Sequence, residues 1–133
     1  MKDLVLDNTL IIGIDEIDDD HSKLIDLFNI LNHSITEGAA TDYIEAVLEE
    51  LINCTVWHFS HEERLMLKYG YDAYKEHKAD HQDLVDSVRE LQRKYLQTGT
   101  LDEKEHLEFL ERWLTEHILT ADIRLGSYLI EVM

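Results

Sequence analysis

Apolar residues recur along most of this chain at alternating steps of three and four, the spacing that keeps side chains on one stripe of an α-helix. One stripe runs His21, Leu24, Phe28, Leu31, Ile35, and a second runs Ile44, Val47, Leu51, Cys54, His58, Glu62, Leu65, Tyr69. A third runs Tyr74, His77, His81, Leu84, Val88, Leu91, Tyr95, and a fourth runs His106, Leu110, Trp113, His117. Gly38, Gly70 and Gly99 fall between the stripes, where glycine suits the left-handed turn that closes a helix. Asp18, Thr41 and Asp72 are placed to cap the first three helices, and Thr100 with Glu103 reads as a capping box for the fourth. The pattern predicts an arm over 1–17 and helices near 19–37, 42–69, 73–98 and 101–131, within one domain spanning 1–133. Short connections make successive helices antiparallel, so the predicted fold is all-α, an up-down-up-down four-helix bundle.

The stripes contain residues that do not belong in an ordinary core. His21, His58, Glu62, His77, His81 and His117 stand where Leu or Phe is expected. An unpartnered buried polar group costs several kcal/mol, and a domain of this size has only about 5–15 kcal/mol to lose. These side chains must therefore satisfy one another or share a ligand. In the segment "HKADH", His77 and His81 lie one helical turn apart, about 6 Å along the axis, close enough to reach one metal ion. A buried metal centre turns imidazole nitrogens and carboxylate oxygens into bonded atoms.

The fourth stripe breaks its rhythm after His117. The next candidate, Asp122, is five residues on, and Leu125, Leu129 and Val132 follow at regular steps. Five residues of α-helix turn through about 500°, which leaves Asp122 about 140° off the seam. One extra residue absorbed as a π-bulge restores the phase, so a distortion is predicted between His117 and Asp122.

Composition narrows the partners. Acidic residues outnumber basic ones 29 to 12, for a net charge of −17, which disfavours nucleic acid and anionic membrane surfaces. No apolar run approaches the roughly 20 residues of a membrane span, and the acidic start "MKDLVLDNTLIIGIDEIDDD" is unlike a signal peptide. With Cys54 as the only cysteine, a disulfide framework is excluded and a cytoplasmic setting is expected. Among the remaining chemistry-bearing residues, His33 and His61 read as surface histidines and His106 as part of the bundle end. Cys54, Trp57 and Trp113 read as packing residues.

The order His21, then "HFSHE" (His58, Glu62), "HKADH" (His77, His81) and "HILTAD" (His117, Asp122) resembles the hemerythrin family, specifically the single-domain bacteriohemerythrins. The resemblance extends from about Gly13 to Tyr128 and includes "GIDEIDDDH", Glu63, Met66 and "WLTEH". It implies a cofactor of two iron ions with an oxo or hydroxo bridge. His77, His81 and His117 would hold one iron, His21 and His58 the other, and Glu62 and Asp122 would bridge both. That set leaves one coordination position open, where members of the family bind dioxygen reversibly. Phe28, Trp113, Leu114 and Ile118 are the expected walls of the dioxygen pocket.

The resemblance implies dioxygen storage, delivery or sensing. The implied partners are dioxygen, nitric oxide as a rival diatomic, and an electron donor or a dioxygen-using enzyme. The chain shows no attached signalling segment, so storage or delivery is expected ahead of sensing. The alternative is a di-iron enzyme with nitric oxide reductase, peroxidase or iron oxidase activity, although the Glu-x-x-His pairs of ferritin-like enzymes are absent. A zinc hydrolase is disfavoured because HExxH is missing. Two positions depart from the family pattern. Relatives usually carry a tryptophan in the arm, where this chain offers Leu4 or Leu6, and Asp72 stands where proline is frequent.

Overall fold

The computed structural model describes residues 3–5 and 10–133, without the side chains of residues 103 and 104. Three unbroken helices, α1 (Asp15–Thr36), α2 (Thr41–Lys68) and α3 (Tyr74–Thr98), are followed by a fourth rod built from several pieces. The pieces are a π-turn at Glu103–Leu107, α4 (Glu108–His117), a second π-turn at Ile118–Asp122, and α5 (Ile123–Val132). The rods form an antiparallel four-helix bundle, and no strand occurs among the described residues. Gly38, Gly70 and Gly99 all adopt positive φ just past a helix. At Gly99 the left-handed residue lets its own amide return 2.7 Å to the carbonyl of Tyr95.

The helix starts differ from the capping argument. α1 begins at Asp15, and its first carbonyl comes from Ile14, which accepts the amides of Ile17 and Asp18. Asp18 is not the cap. Its carboxylate instead accepts the amides of Ile12 and Gly13, at 2.9 and 3.2 Å, and so closes the turn from arm to helix. α2 starts at Thr41 and α3 at Tyr74, neither with a side-chain cap. At the fourth rod Asp102 accepts the amide of Glu105 at 3.1 Å. The Glu103 half of the expected capping box lies outside the described side chains.

Two apolar clusters fill the bundle, one towards each end. The larger contains Phe28, Leu31, Leu48, Leu51, Ile52, Val88, Leu91 and Leu107. The smaller contains Leu10, Ile12, Ile14, Ile17, Met66, Ile118, Leu125 and Leu129. The arm belongs to the second cluster, where Gly126 on α5 lets it approach closely. A Cβ there would stand 2.7 Å from the carbonyl oxygen of Ile12. Leu4 packs against both clusters, and its amide and carbonyl both bond the Asn29 side chain at 2.8 Å. Leu6, the other expected arm anchor, lies outside the described residues.

Candidate metal centre

Between the two apolar clusters lies a polar layer. His21, His58, Glu62, His77, His81, His117 and Asp122 are all buried, and Glu62 has no exposed surface at all. α1 supplies the first of these residues, α2 the next two, α3 the "HKADH" pair, and the fourth rod the last two. Asp122 reaches the layer because the π-turn at Ile118–Asp122 takes up one extra residue, with the amide of Ile123 returning to the carbonyl of Ile118. The predicted distortion is present at the predicted place.

The two carboxylates organise the layer. Oε2 of Glu62 faces His58 Nε2 at 2.7 Å and His21 Nε2 at 3.4 Å. Its Oε1 faces His77 Nε2 and His81 Nε2, both at 3.1 Å. Asp122 repeats the division, with Oδ2 at 3.0 Å from His21 Nε2 and Oδ1 at 3.0 Å from both His77 Nε2 and His117 Nε2. Ligand atoms therefore gather into two lobes, one of His77, His81 and His117 and one of His21 and His58, and both lobes include Glu62 and Asp122. Within each lobe one ligand atom from each residue lies within 4.8 Å of all the others.

Most of these atoms approach one another without bonding. Nε2 of His21, His58, His81 and His117 has no hydrogen-bond partner, nor do Glu62 Oε2 and either oxygen of Asp122. Buried atoms left unsatisfied in this number are costly. Their lone pairs converge on two shared points, which is what a cation in each lobe requires. Imidazole with carboxylate is a donor set that suits iron.

Without metal, the layer holds its own charge. Burial opposes protonation of His21, but Asp122 and Glu62 outweigh it and hold the imidazole up to about 10. Burial likewise opposes charge on His58 and His77, yet Glu62 and Asp20 raise the first to about 9, and Asp122 and Glu62 raise the second to about 9. Burial works to raise the carboxyls of Glu62 and Asp122, but the surrounding imidazoles hold both below the usual carboxylate range.

Neighbours outside the layer fix several rings. His58 Nδ1–H donates to Asp20 Oδ2 at 3.0 Å, and His81 Nδ1–H donates to Glu63 Oε2 at 2.9 Å. Phe59 stacks flat on His81, with ring centroids 3.8 Å apart, and Trp113 stacks on His117 at 4.5 Å. Beside the layer, towards the larger apolar cluster, is an apolar cavity of about 30 Å³. Its walls include Leu24, Phe28, Thr55, Phe59, Leu110 and Leu114. Of the expected pocket residues, Phe28 and Leu114 line this cavity. Trp113 stacks on His117, and Ile118 is fully buried in the smaller cluster.

Two sequence expectations need correction, those for His61 and Trp57. His61 is not solvent-facing: only 9% of its side chain is exposed, and it lies between Asp20 and Glu16. Trp57 is not a core residue, being 59% exposed beside the His61 ring. Cys54 is partly buried against the larger cluster. His33 is exposed and contacts Asp3, and His106 accepts the amide of Asp102 at the bundle end. Sequence reasoning missed Asp20 as a partner of His58. The only available signal was its position next to His21 in "DDDH".

Comparison with known proteins agrees with this geometry. Residues 12–127 match the hemerythrin HHE cation binding domain. The chain is 34% identical over 122 residues to a bacteriohemerythrin of Pseudomonas paraeruginosa, covering 92% of this chain and 78% of that protein. It is 33% identical over 112 residues to a bacteriohemerythrin of Methylococcus capsulatus, covering 84% and 85% respectively. A crystal structure of wild-type hemerythrin superposes with a TM-score of 0.86 at 29% identity, covering 95% of this chain and 97% of that one. With its seven metal-competent side chains in two lobes, the chain belongs to the hemerythrin family.

Proposed function

We propose that this chain is a non-haem di-iron protein that binds dioxygen reversibly, for storage, delivery or sensing of the gas. The observation that carries the reading is the division of Glu62 and Asp122, each with one oxygen turned to each lobe. His77, His81 and His117 would hold one iron and His21 and His58 the other, with Glu62 and Asp122 shared between them. Two cations held close need shared anions between them. When bound, an iron pair would supply the electrons that reversible dioxygen binding requires. His21 and His58 supply one imidazole fewer than the other lobe, so their lobe would be the one with room for the gas.

The protein's own residues support binding over turnover. The adjacent cavity is apolar, and its one hydroxyl, on Thr55, is committed to the carbonyl of Leu51 at 2.7 Å. A dry wall without a free proton donor slows protonation and loss of a bound diatomic. At about 30 Å³ the cavity can admit a molecule the size of water or dioxygen. Nitric oxide is a rival ligand, and an electron donor or a dioxygen-using enzyme is the expected partner. No described helix is long and apolar enough to cross a membrane, and a reducing cytoplasm suits the unpaired Cys54.

The deciding experiment is optical. Dioxygen added to the reduced, iron-loaded protein gives a visible charge-transfer band that disappears when the gas is removed. Irreversible oxidation on first exposure, or steady consumption of peroxide or nitric oxide, selects an enzyme instead.

A further inference from the structure

Asp20 lies outside the seven-residue layer, yet it bonds one of the layer's rings directly. Its residue surface is 5% exposed, and a single oxygen, Oδ2, accepts both His58 Nδ1–H at 3.0 Å and His61 Nδ1–H at 2.7 Å. The far nitrogen of His61 then touches Glu16 Oε2 at 3.2 Å. A buried carboxylate is thus braced on one side by an imidazole and itself braces another. His21, the other histidine of the same lobe, has no hydrogen-bond partner on either ring nitrogen. The lobe with fewer histidines therefore has only one ring whose direction is fixed by a hydrogen bond.

We infer that Asp20 is the positioning residue of the His21–His58 lobe: it fixes the His58 ring so that Nε2 faces the metal, and His61 holds Asp20 in place. This inference rests on the di-iron reading above. An imidazole that donates from Nδ1 to a carboxylate is locked in the tautomer whose Nε2 lone pair is free, and its basicity towards a metal rises. Without that bond the ring can rotate about its side-chain torsions, and its lone pair no longer stays on the shared point. Glu63 occupies the equivalent place beside His81, but that lobe has two further histidines to hold its ion. Loss of a carboxylate therefore matters most at Asp20.

The test is an anaerobic titration of the metal-stripped full chain with ferrous iron against a competing chelator. The wild type takes two ions. In Asp20→Ala one of the two binds about 10–100-fold more weakly, while the other keeps its affinity. Asp20→Asn, whose amide oxygen can accept both imidazole protons, restores binding to within about threefold, a small part of that loss. Should Ala unfold the chain by far-UV circular dichroism, Asp20→Leu takes its place, filling similar volume without an acceptor. Wild-type affinity for both ions in the Ala or Leu variant overturns the inference. An Asn variant as weak as Ala also overturns it, because orientation is then not what Asp20 supplies. A wild type that fails to take two ions overturns the di-iron reading itself, which is a separate failure.

Discussion

Deleting one residue from a helix usually ruins every contact downstream of the cut, and the π-turn at Ile118–Asp122 inverts that expectation. In a regular helix, removing one residue turns everything downstream by about 100° and shifts it about 1.5 Å. Deleting Arg112, an exposed residue of α4, would swing His117, Ile118, Leu125 and Leu129 away from the core. The last three are fully buried, and displacing each costs about 2–5 kcal/mol. Together those losses match the whole stability of a domain, about 5–15 kcal/mol.

Deleting Thr120 has a different geometry. It removes the residue that the π-turn accommodates as surplus. His117 and Asp122 are then separated by four steps, about 400°, so they face within about 40° of one another on an ordinary helix. α5 keeps its inward face. The direct loss is an exposed hydroxyl bond from Thr120 to the carbonyl of Glu116, about 1 kcal/mol. The shorter chain should fold with a Tm lowered by less than about 8 °C, given roughly 4 °C per kcal/mol at this size. It should still take two metal ions, whereas the Arg112 deletion should be unfolded by circular dichroism. A Thr120 deletion that unfolds like the Arg112 deletion, or that loses an ion, refutes the view that the turn serves only to restore phase.

The same geometry sets other expectations. Glu62→Ala takes an oxygen from both lobes and should abolish binding of both ions. His117→Ala empties one position in one lobe and should leave one ion bound, as metal analysis after gel filtration will show. In the metal-free protein His21 is held up to about 10 and His58 and His77 to about 9. Their contribution is complete below about pH 6.5, the unfolded value, and is lost as pH rises through 9 to 10. Glu62 and Asp122, held low, contribute above about pH 4 and lose that as pH falls. Urea melts of the stripped chain should therefore show greatest stability near pH 5–6 and a decline by pH 9.5. Added metal should reverse that decline, because it binds the deprotonated imidazoles. Gly126→Ala gains about 1 kcal/mol of helix propensity but drives a Cβ to 2.7 Å from the Ile12 carbonyl. Overpacking against backbone costs about 1–3 kcal/mol, so Tm should fall, and a rise would show that the arm yields freely.

The helices, and the place of six polar residues on their inward stripes, were legible because both stem from spacing on a single helix. The π-turn was legible for the same reason: His117 and Asp122 can share a seam only if the backbone takes up a residue. What the sequence hid depends on the rotation of one rod against another. His61 is one turn from His58 on no apolar stripe, and nothing in α2 alone shows that Asp20 of α1 stands opposite it. Trp57 reads as core by its type, yet the face it occupies points to solvent. The start of α1 was hidden because Asp18 bonds the arm and not the helix. The first π-turn, at Glu103–Leu107, left no break in the stripe to betray it.

The polar layer also sets how the domain holds together. It separates two oil-like halves that share few members, so an empty centre is an electrostatic fault line across the middle of the molecule. Each ion present at a hundred times its dissociation constant adds about 2.7 kcal/mol to folding, and the two together tie all four rods at one level. A cell short of iron would therefore hold not merely an idle copy of this protein but a looser one, more open to proteolysis, so that supply of the metal sets its lifetime as well as its activity.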